Sequence, residues 1–377
     1  MVKKIVLAGL AALIAIMLGI AVLIYQSPQR SEMPMNSKLP VSEDLKKIIY
    51  YGSLAPSSHN AQMWKVGIRT DSEIAILVDR DRLLPEVDPG MREAFLSIGA
   101  FIENIVQAAD ALGYDTKVTL MPGNTGNEVA GIVFSRSSGG SASRQSSAQI
   151  IDAINIRHTM KEPFLKQPLK PGDLNAFESI DPHQITYYPA DSSLGRYITN
   201  GTTDSMAKQV QDDGKQQEMA NWTRISTREA KSSRDGITPE MMGISGVRKL
   251  FFKAFLTHSS LISDSYRKQT VDSIRQQAES AAGFVVIGSE GDSRQDLIQT
   301  GRIYERLLLA GAGRRVAIHT MSSMLEESPW KDEVKGKLGL SGVPQFVLRV
   351  GYVKDYGKPT SLRRPIDEFA FMLNSGE

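Results

Sequence analysis

The sequence predicts an α+β protein built from two similar halves. The first third contains strands around one long amphipathic helix, and the last third repeats that plan. A Ser/Gly-rich stretch at residues 135–149 lies between them and is typical of a flexible junction. The chain has 377 residues, enough for a large core or for two or three domains. We interpret residues 41–134 as the first half and residues 150–377 as the second.

The composition excludes several classes of protein. Hydrophobic residues make up 41% and charged residues 23%, as in folded soluble domains. A net charge of +2 argues against nucleic-acid binding, which needs a clustered basic excess. The absence of cysteine excludes disulfides, thiolate nucleophiles and cysteine-bound metals. The histidines are scattered singly, so we expect no metal site: His59, His158, His183, His258 and His319.

The N-terminus departs from the soluble composition. Lys3 and Lys4 precede an uncharged run, Ile5–Tyr25, which at about 1.5 Å per residue just spans a roughly 30 Å hydrocarbon layer. We interpret residues 1–26 as a transmembrane signal-anchor, with a cleaved signal peptide as the alternative, and residues 27–40 as a polar tether. The basic N-terminal end predicts a single-pass protein of the cell membrane, with its folded domain outside the cytoplasm.

In the first half, Ser42 is a candidate N-cap for a short helix. Alternating apolar residues then predict strands at 64–68 and 74–78. A long helix is predicted over 91–112, with apolar residues at alternating three- and four-residue steps. Such a seam packs against another helix at a shallow angle. Further strands are predicted at about 115–121 and 128–134.

In the second half, a short helix from about residue 150 ends near Pro163. Residues 200–260, called the lid segment below, predict either an extra helical subdomain or a mobile lid over a site. Strands at 283–288 and 345–352 flank a helix predicted over 294–309. A final short helix is expected after Ile366.

The polar loop, residues 55–64, is the first candidate for function. Pro56 blocks continuation of the preceding helix, and Ser57, Ser58 and Asn60 favour turns. A polar loop between a helix and a strand is where a scaffold commonly presents binding groups. A plain connecting loop is the alternative interpretation.

Motifs of the common catalytic sites are absent: there is no G-x-S-x-G, P-loop, H-E-x-x-H or G-x-G-x-x-G. We therefore predict no catalytic side chain. Basic groups cluster instead in the basic turn, residues 157–161, and at residues 363–364. Arginine suits phosphate through its bidentate fork, and the polar loop can bind the edge of a heterocycle. Together they indicate a nucleotide-like cofactor, with ordinary surface charge as the alternative.

These motifs resemble a known family. The polar loop, Ala-Pro-Ser-Ser-His-Asn-Ala-Gln-Met-Trp, resembles the A-P-S-x-x-N-x-Q-x-W motif of the nitroreductase-like flavoproteins. The basic turn, Arg-His-Thr-Met-Lys, resembles their phosphate-binding R-R-S/T-x-R turn. Residues 88–93, 97–100, 349–352 and 363–365 resemble the Acg-like subgroup, in which two nitroreductase units are fused. The resemblance runs from about residue 40 to 370.

The resemblance implies a nitroreductase-like fold in which two fused half-units form a monomeric pseudo-dimer with one FMN site. The loop occurs only in the first half and the turn only in the second, so each half lacks what the other holds. The implied phosphate-binding residues are Arg157, His158, Thr159 and Lys161, helped by Arg363 or Arg364. The residues implied to face the flavin ring or ribityl chain are Ser57, Ser58, Asn60 and Gln62. His158 and Lys161 replace arginines of the family turn, which keeps a charge but loses the fork.

The resemblance also implies an activity: an FMN-dependent oxidoreductase that passes electrons from a small-molecule donor through the flavin to a nitro compound or quinone. Outside the cytoplasm NAD(P)H is absent, so a membrane quinol is a candidate donor there. One alternative is a non-catalytic FMN-binding or sequestering protein with an occluded site. Another is a membrane-tethered interaction domain without a cofactor.

Overall fold

A computed structural model describes residues 2–25, 37–120, 127–137 and 144–373 of the chain. The helices in these ranges are α1 Val2–Tyr25, α2 Glu43–Ser53, α3 Arg92–Ala111, α4 Arg144–Ile156, α5 Pro171–Glu178, α6 Ser193–Gln209, α7 Asp213–Asn221, α8 Thr227–Ser233, α9 Gly246–Phe255, α10 His258–Leu261, α11 Asp264–Glu279, α12 Arg294–Arg314 and α13 Trp330–Leu338. The strands are β1 Trp64–Thr70, β2 Glu73–Val78, β3 Tyr114–Leu120, β4 Glu128–Arg136, β5 Ile185–Pro189, β6 Gly283–Ser289, β7 Ala317–Thr320, β8 Val343–Gly351 and β9 Ala370–Met372.

The strands form two sheets, which confirms the α+β class. One sheet has the order β3-β4-β2-β1-β9 and the other the order β5-β6-β8-β7. Neighbouring strands are antiparallel, except that β9 runs parallel to β1. Because β9 comes from the end of the chain, the C-terminal residues complete the sheet of the first half.

The long helices α3 and α12 pack against each other through glycines, as the predicted seam of the first long helix indicated. A Cβ added at Gly99 would lie 2.1 Å from the Ile298 carbonyl oxygen, and one added at Gly301 would lie 2.1 Å from that of Leu96. Beside this contact, Arg302 forms a 2.9 Å ion pair with the buried Glu103. The two halves are therefore joined by a backbone-to-backbone seam.

Aromatic side chains pack the part of the core that lies next to the polar loop. Trp64, the last residue of the polar loop and the first of β1, is fully buried and stacks on Phe101 of α3 with ring centroids 4.7 Å apart. Phe369, just before β9, meets the edge of Phe101. At the start of the half, the Ser42 hydroxyl accepts a hydrogen bond from the Leu45 amide, which confirms the predicted N-cap.

Two predicted elements differ in the structure. Residues 144–149 of the predicted junction belong to α4. The predicted final helix is a single 3-10 turn, Ile366–Glu368, because β9 follows at once and pairs with β1. Strands β5 and β7 were not predicted. Residues 138–143 of the junction, 26–36 of the anchor and tether, and the predicted turn at 122–126 lie outside the described ranges.

The predicted N-terminal helix is present as α1. Within the described ranges, no helix combines the length and the apolar character needed to cross a membrane. This finding does not support the transmembrane part of the fold prediction.

Candidate functional site

The polar loop, the basic turn and the lid segment meet around one cavity of about 1080 Å³. That volume is at the upper end of ordinary ligand pockets. Asn60 and Arg157, nearly a hundred residues apart in sequence, both line it. The fold therefore brings together the two sequence motifs that were expected to form one site.

The polar loop is held in an unusual backbone conformation. His59, Asn60 and Gln62 have φ values of 49°, 54° and 57°, in the left-handed region that residues other than glycine rarely adopt. Such residues persist only where the surroundings hold them. The Ser57 hydroxyl helps by accepting a 2.9 Å hydrogen bond from the Gln62 amide. The Nδ1 atom of His59 is buried without a hydrogen-bond partner among the described residues.

Arg363 binds several backbone carbonyl groups at the start of this loop. Its guanidinium donates to the oxygens of Ser53, Leu54 and Ala55 at 2.5–3.1 Å, and to Asn60 Oδ1 at 2.8 Å. Arg363 is buried, and donors used in this way are not directed at a phosphate. Its contacts thus differ from the predicted role: Arg363 holds the loop.

Arg364 has a similar place on the other side of the loop. Its Nη2 donates to the carbonyl oxygens of Gln62 at 2.6 Å and Trp64 at 3.1 Å. Its Nη1 lies 3.3 Å from the buried Asp79. Burial, and next the nearby Arg82, lower the pKa of Arg364 to about 10. Its contacts, like those of Arg363, differ from a role at a phosphate.

The amides of Asn60 and Gln62, predicted to face a flavin, bind protein atoms. Asn60 Nδ2 donates to the oxygens of Gly236 at 3.0 Å and Leu362 at 3.2 Å. Gln62 Nε2 donates to the Arg234 oxygen at 3.0 Å. Gly236 and Arg234 belong to the lid segment, so these amides tie the polar loop to the lid.

A second set of contacts, centred on Asp235 and called the Asp235 latch below, holds the lid segment in place. Asp235 is buried and accepts hydrogen bonds from Arg224 Nε at 2.9 Å and Nη2 at 2.7 Å, and from Arg82. Both guanidinium groups lie over the Trp222 ring, at 5.5–5.6 Å from its centroid. The lid residues that face the cavity include several methionines, which adapt to varied ligand shapes: Met206, Met219, Met241 and Met242.

In the basic turn, Arg157 points towards the polar loop. Its Nη2 donates to the Leu54 oxygen at 2.8 Å, and its Nε lies 3.6 Å from Glu305 Oε1. Burial raises the pKa of Glu305 to about 8, although Arg157 opposes that rise. Arg157 therefore joins the turn to the loop. The Nδ1 atom of the neighbouring His158 lies 2.8 Å from the Ile156 carbonyl oxygen, to which it donates in the tautomer that carries a proton there.

Lys161 is the cation of the turn that remains open to a ligand. Arg349 of β8 donates to the oxygens of Met160 and Glu162, both at 3.0 Å, and so holds the chain on each side of Lys161. Burial, and next Arg349, lower the pKa of Lys161 to about 8. No described residue forms a hydrogen bond or ion pair with its ammonium. Thr159 also lines the cavity.

Sequence reasoning missed the carboxyl groups of the cavity wall. Glu93 of α3 accepts a hydrogen bond from Ser58 Oγ, and Glu326 accepts one from Gln209 Nε2 at 2.5 Å. Glu93 lies in a stretch that carried the family resemblance, whereas nothing in the local sequence marks Glu326. Within the described ranges, no cluster of three or more potential metal ligands occurs.

No family profile matches the chain. It is 25% identical over 343 residues to a Mycobacterium tuberculosis protein named, provisionally, NAD(P)H nitroreductase Acg, covering 89% of this chain and 97% of that protein. It is 22% identical over 329 residues to a Serratia protein named, also provisionally, NAD(P)H nitroreductase PigM, covering 85% and 91%.

Among solved structures, the FMN-dependent nitroreductase NfnB from Mycobacterium smegmatis in complex with NADPH superposes with a TM-score of 0.37. It has 13% identity and covers 61% of this chain and 95% of that one. A TM-score this low carries no argument about the fold. The sequence relatives confirm the resemblance that the motifs indicated. This chain is similar to Acg-like nitroreductases over most of its length.

Proposed function

We propose that this chain is an FMN-dependent oxidoreductase of the nitroreductase type. One observation carries the proposal: the polar loop of the first half and the basic turn of the second line a single cavity, with the unpaired Lys161 ammonium facing it. The naming of the relatives as NAD(P)H nitroreductases supports the same activity.

The residues present fit FMN at its phosphate end. Lys161 is partly buried, and no described residue pairs with its ammonium. Such a cation is costly until an anion neutralises it, and burial accordingly lowers its pKa. A dianionic phosphate supplies the missing charge, with the Thr159 hydroxyl as a further donor. When bound, FMN would supply the two-electron chemistry, and the protein orients it. Arg157, Arg363 and Arg364 would act by shaping the loop and the turn.

The chain is proposed to be a pseudo-dimer with one complete site. The presence of two sheets, the α3–α12 seam and the crossing of β9 into the first sheet support this organisation. The donor would be a nicotinamide dinucleotide or a quinol, and the acceptor a nitro compound or a quinone.

Sequestration of FMN is the second candidate. The hydrogen bonds from Asn60 and Gln62 to the lid segment, together with the contact between Arg82 and Asp235, favour a lid held over the cavity. A site closed in this way would retain the cofactor and exclude substrates.

A visible spectrum of the purified full-length chain tests both. Flavin bands, present as isolated or after FMN is added, are expected, and their absence would sink both candidates. Anaerobic mixing with NADH or NADPH should then bleach the bands if the chain is a reductase. Bleaching by dithionite but by neither nucleotide would favour sequestration or a different donor.

Attachment to the cell membrane through α1, with the domain outside the cytoplasm, is a separate proposal carried by the sequence. The apolar side chains of α1 are solvent-exposed, for example Ile5, Leu7 and Leu10 at 58–72%. The full chain should sediment with membranes, and a chain lacking residues 1–36 should not. Equal partition of both into the soluble fraction would reject it.

A further inference from the structure

Two carboxyl groups meet at one guanidinium in the cavity wall. Glu93 Oε1 and Glu326 Oε1 each lie 3.8 Å from Arg92 Nη2. Their other oxygens accept hydrogen bonds, from Ser58 Oγ of the polar loop and from Gln209 Nε2 of α6. Both carboxyl groups line the cavity, so a ligand bound there can reach them.

The surroundings supply too little positive charge for both carboxyl groups to ionise. Arg92 is the adjacent cation, while Asp88 before α3 and Glu218 of α7 add negative charge nearby. Burial lowers the pKa of His59 to about 4, so this imidazole is neutral at pH 7. Two close carboxyl groups in such a place share one proton.

The pKa values of Glu93 and Glu326 are shifted in opposite directions, as expected for two carboxyl groups that share one proton. Burial, and next the Glu93 charge, hold the pKa of Glu326 well above its ordinary value. Burial also acts to raise the pKa of Glu93, but Arg92 and the hydrogen bonds to Glu93 overcome that effect and lower it. Glu326 is thus the partner that holds the shared proton more tightly.

We propose that Glu93 and Glu326 form a proton-sharing pair that donates a proton to an acceptor reduced in the cavity. This inference rests on the proposed reductase function and adds catalytic residues to it. Ser58 links the pair directly to the polar loop, and Gln209 orients the protonated carboxyl.

The proton balance of quinone reduction shows why an acid is needed. A quinone becomes a hydroquinone by gaining two electrons and two protons. A hydride, derived from a nicotinamide dinucleotide, brings both electrons and one proton. The Glu326 O–H bond breaks, its proton bonds to the quinone oxygen, and the pair is left as two carboxylates. A proton from water then restores the shared state.

Infrared spectroscopy of the full-length chain without added cofactor tests the shared proton. Besides the band of protonated Glu305, the wild type should show a second protonated-carboxyl band at pH 7, which Glu326→Gln removes while the Glu305 band stays. Glu327→Gln is the matched control, since Glu327 is adjacent and buried but forms an ion pair with Lys215 instead. This measurement does not depend on flavin binding, so it stands even if the proposed function fails. A wild type that lacks the second band overturns the proposal.

Kinetics of the FMN-loaded enzyme test proton donation by Glu326. With a quinone acceptor, Glu326→Gln should lower kcat about 100-fold at pH 7, in the range for loss of a general acid, and abolish the decline of the wild-type rate at high pH. Glu327→Gln should retain that decline. A Glu326→Gln variant with an unchanged pH profile, whatever its stability, shows a structural role only and overturns the proposal.

Discussion

Replacement of Gly301 by alanine should separate the two long helices. The added Cβ would lie 2.1 Å from the Leu96 carbonyl oxygen and 3.0 Å from Gly99 Cα. Both neighbours are backbone atoms of α3, so no side chain can rotate away. A carbon and a carbonyl oxygen normally stay about 3.3 Å apart, so the helices would have to move by roughly 1 Å.

The magnitude follows from two opposing effects. Alanine stabilises a helix over glycine by about 1 kcal/mol. Overpacking a close contact costs about 1–3 kcal/mol, and a rigid backbone on both sides places this case at the upper end. Gly301→Ala should therefore lower the free energy of unfolding by about 2 kcal/mol.

Gly313→Ala, in the same helix, is the matched control, because nothing lies within 4 Å of its added Cβ. It should stabilise the protein by about 0.5–1 kcal/mol. Urea denaturation followed by circular dichroism compares the three proteins. FMN titration should show weaker binding only for Gly301→Ala, since the seam sets the distance between the loop and the turn. Equal stabilisation by both substitutions would refute the close packing of α3 on α12.

Lys161→Ala should weaken FMN binding tenfold or more, because a charge-assisted contact contributes about 1.5–3 kcal/mol, while the exposed Lys166→Ala should leave it unchanged in a fluorescence titration. Wild-type affinity should fall as pH rises through about 8, where Lys161 loses its proton, and a flat profile would contradict the assignment. Asp235→Ala should open the latch and release FMN at least tenfold faster in stopped flow, since removing one partner of a buried ion pair costs about 3–5 kcal/mol. Asp213→Ala, which removes a 91% exposed partner, is its control. Burial raises the pKa of Asp88 to about 6, so its stabilising contribution is complete below about pH 4 and is lost as pH rises through 6. Unfolding free energy should thus fall by about 3 kcal/mol between pH 4 and 7 relative to Asp88→Asn, and parallel curves would exclude this.

Elements with a strong local pattern were predictable. The alternation in β1 and β2 and the three-and-four spacing in α3 and α12 are local periodicities, which the sequence shows directly. β9 is different, because three residues acquire strand geometry only by pairing with β1. The start of α4 was missed because the serine and glycine composition of residues 135–149 indicates a junction, although residues 144–149 are helical.

The candidate site was likewise only partly predictable from the sequence. Composition and motif marked the polar loop and the basic turn, and their separation in sequence indicated a split site. Local sequence could not show how the arginines are used. Arg363 and Arg349 bind backbone carbonyls of distant segments, and only folding brings those acceptors within reach.

The sequence by itself determined the α+β class and the similarity to Acg-like nitroreductases, because periodicity and short motifs are local properties. The tertiary structure alone decided which polar groups remain open to a ligand. Arg157, Arg363 and Arg364 bind protein groups, whereas no described residue pairs with the Lys161 ammonium. Glu93 and Glu326 lie together beside Arg92. Charge and hydrogen-bond partners are settled by distance in space, and for this site those distances join residues from both ends of the chain.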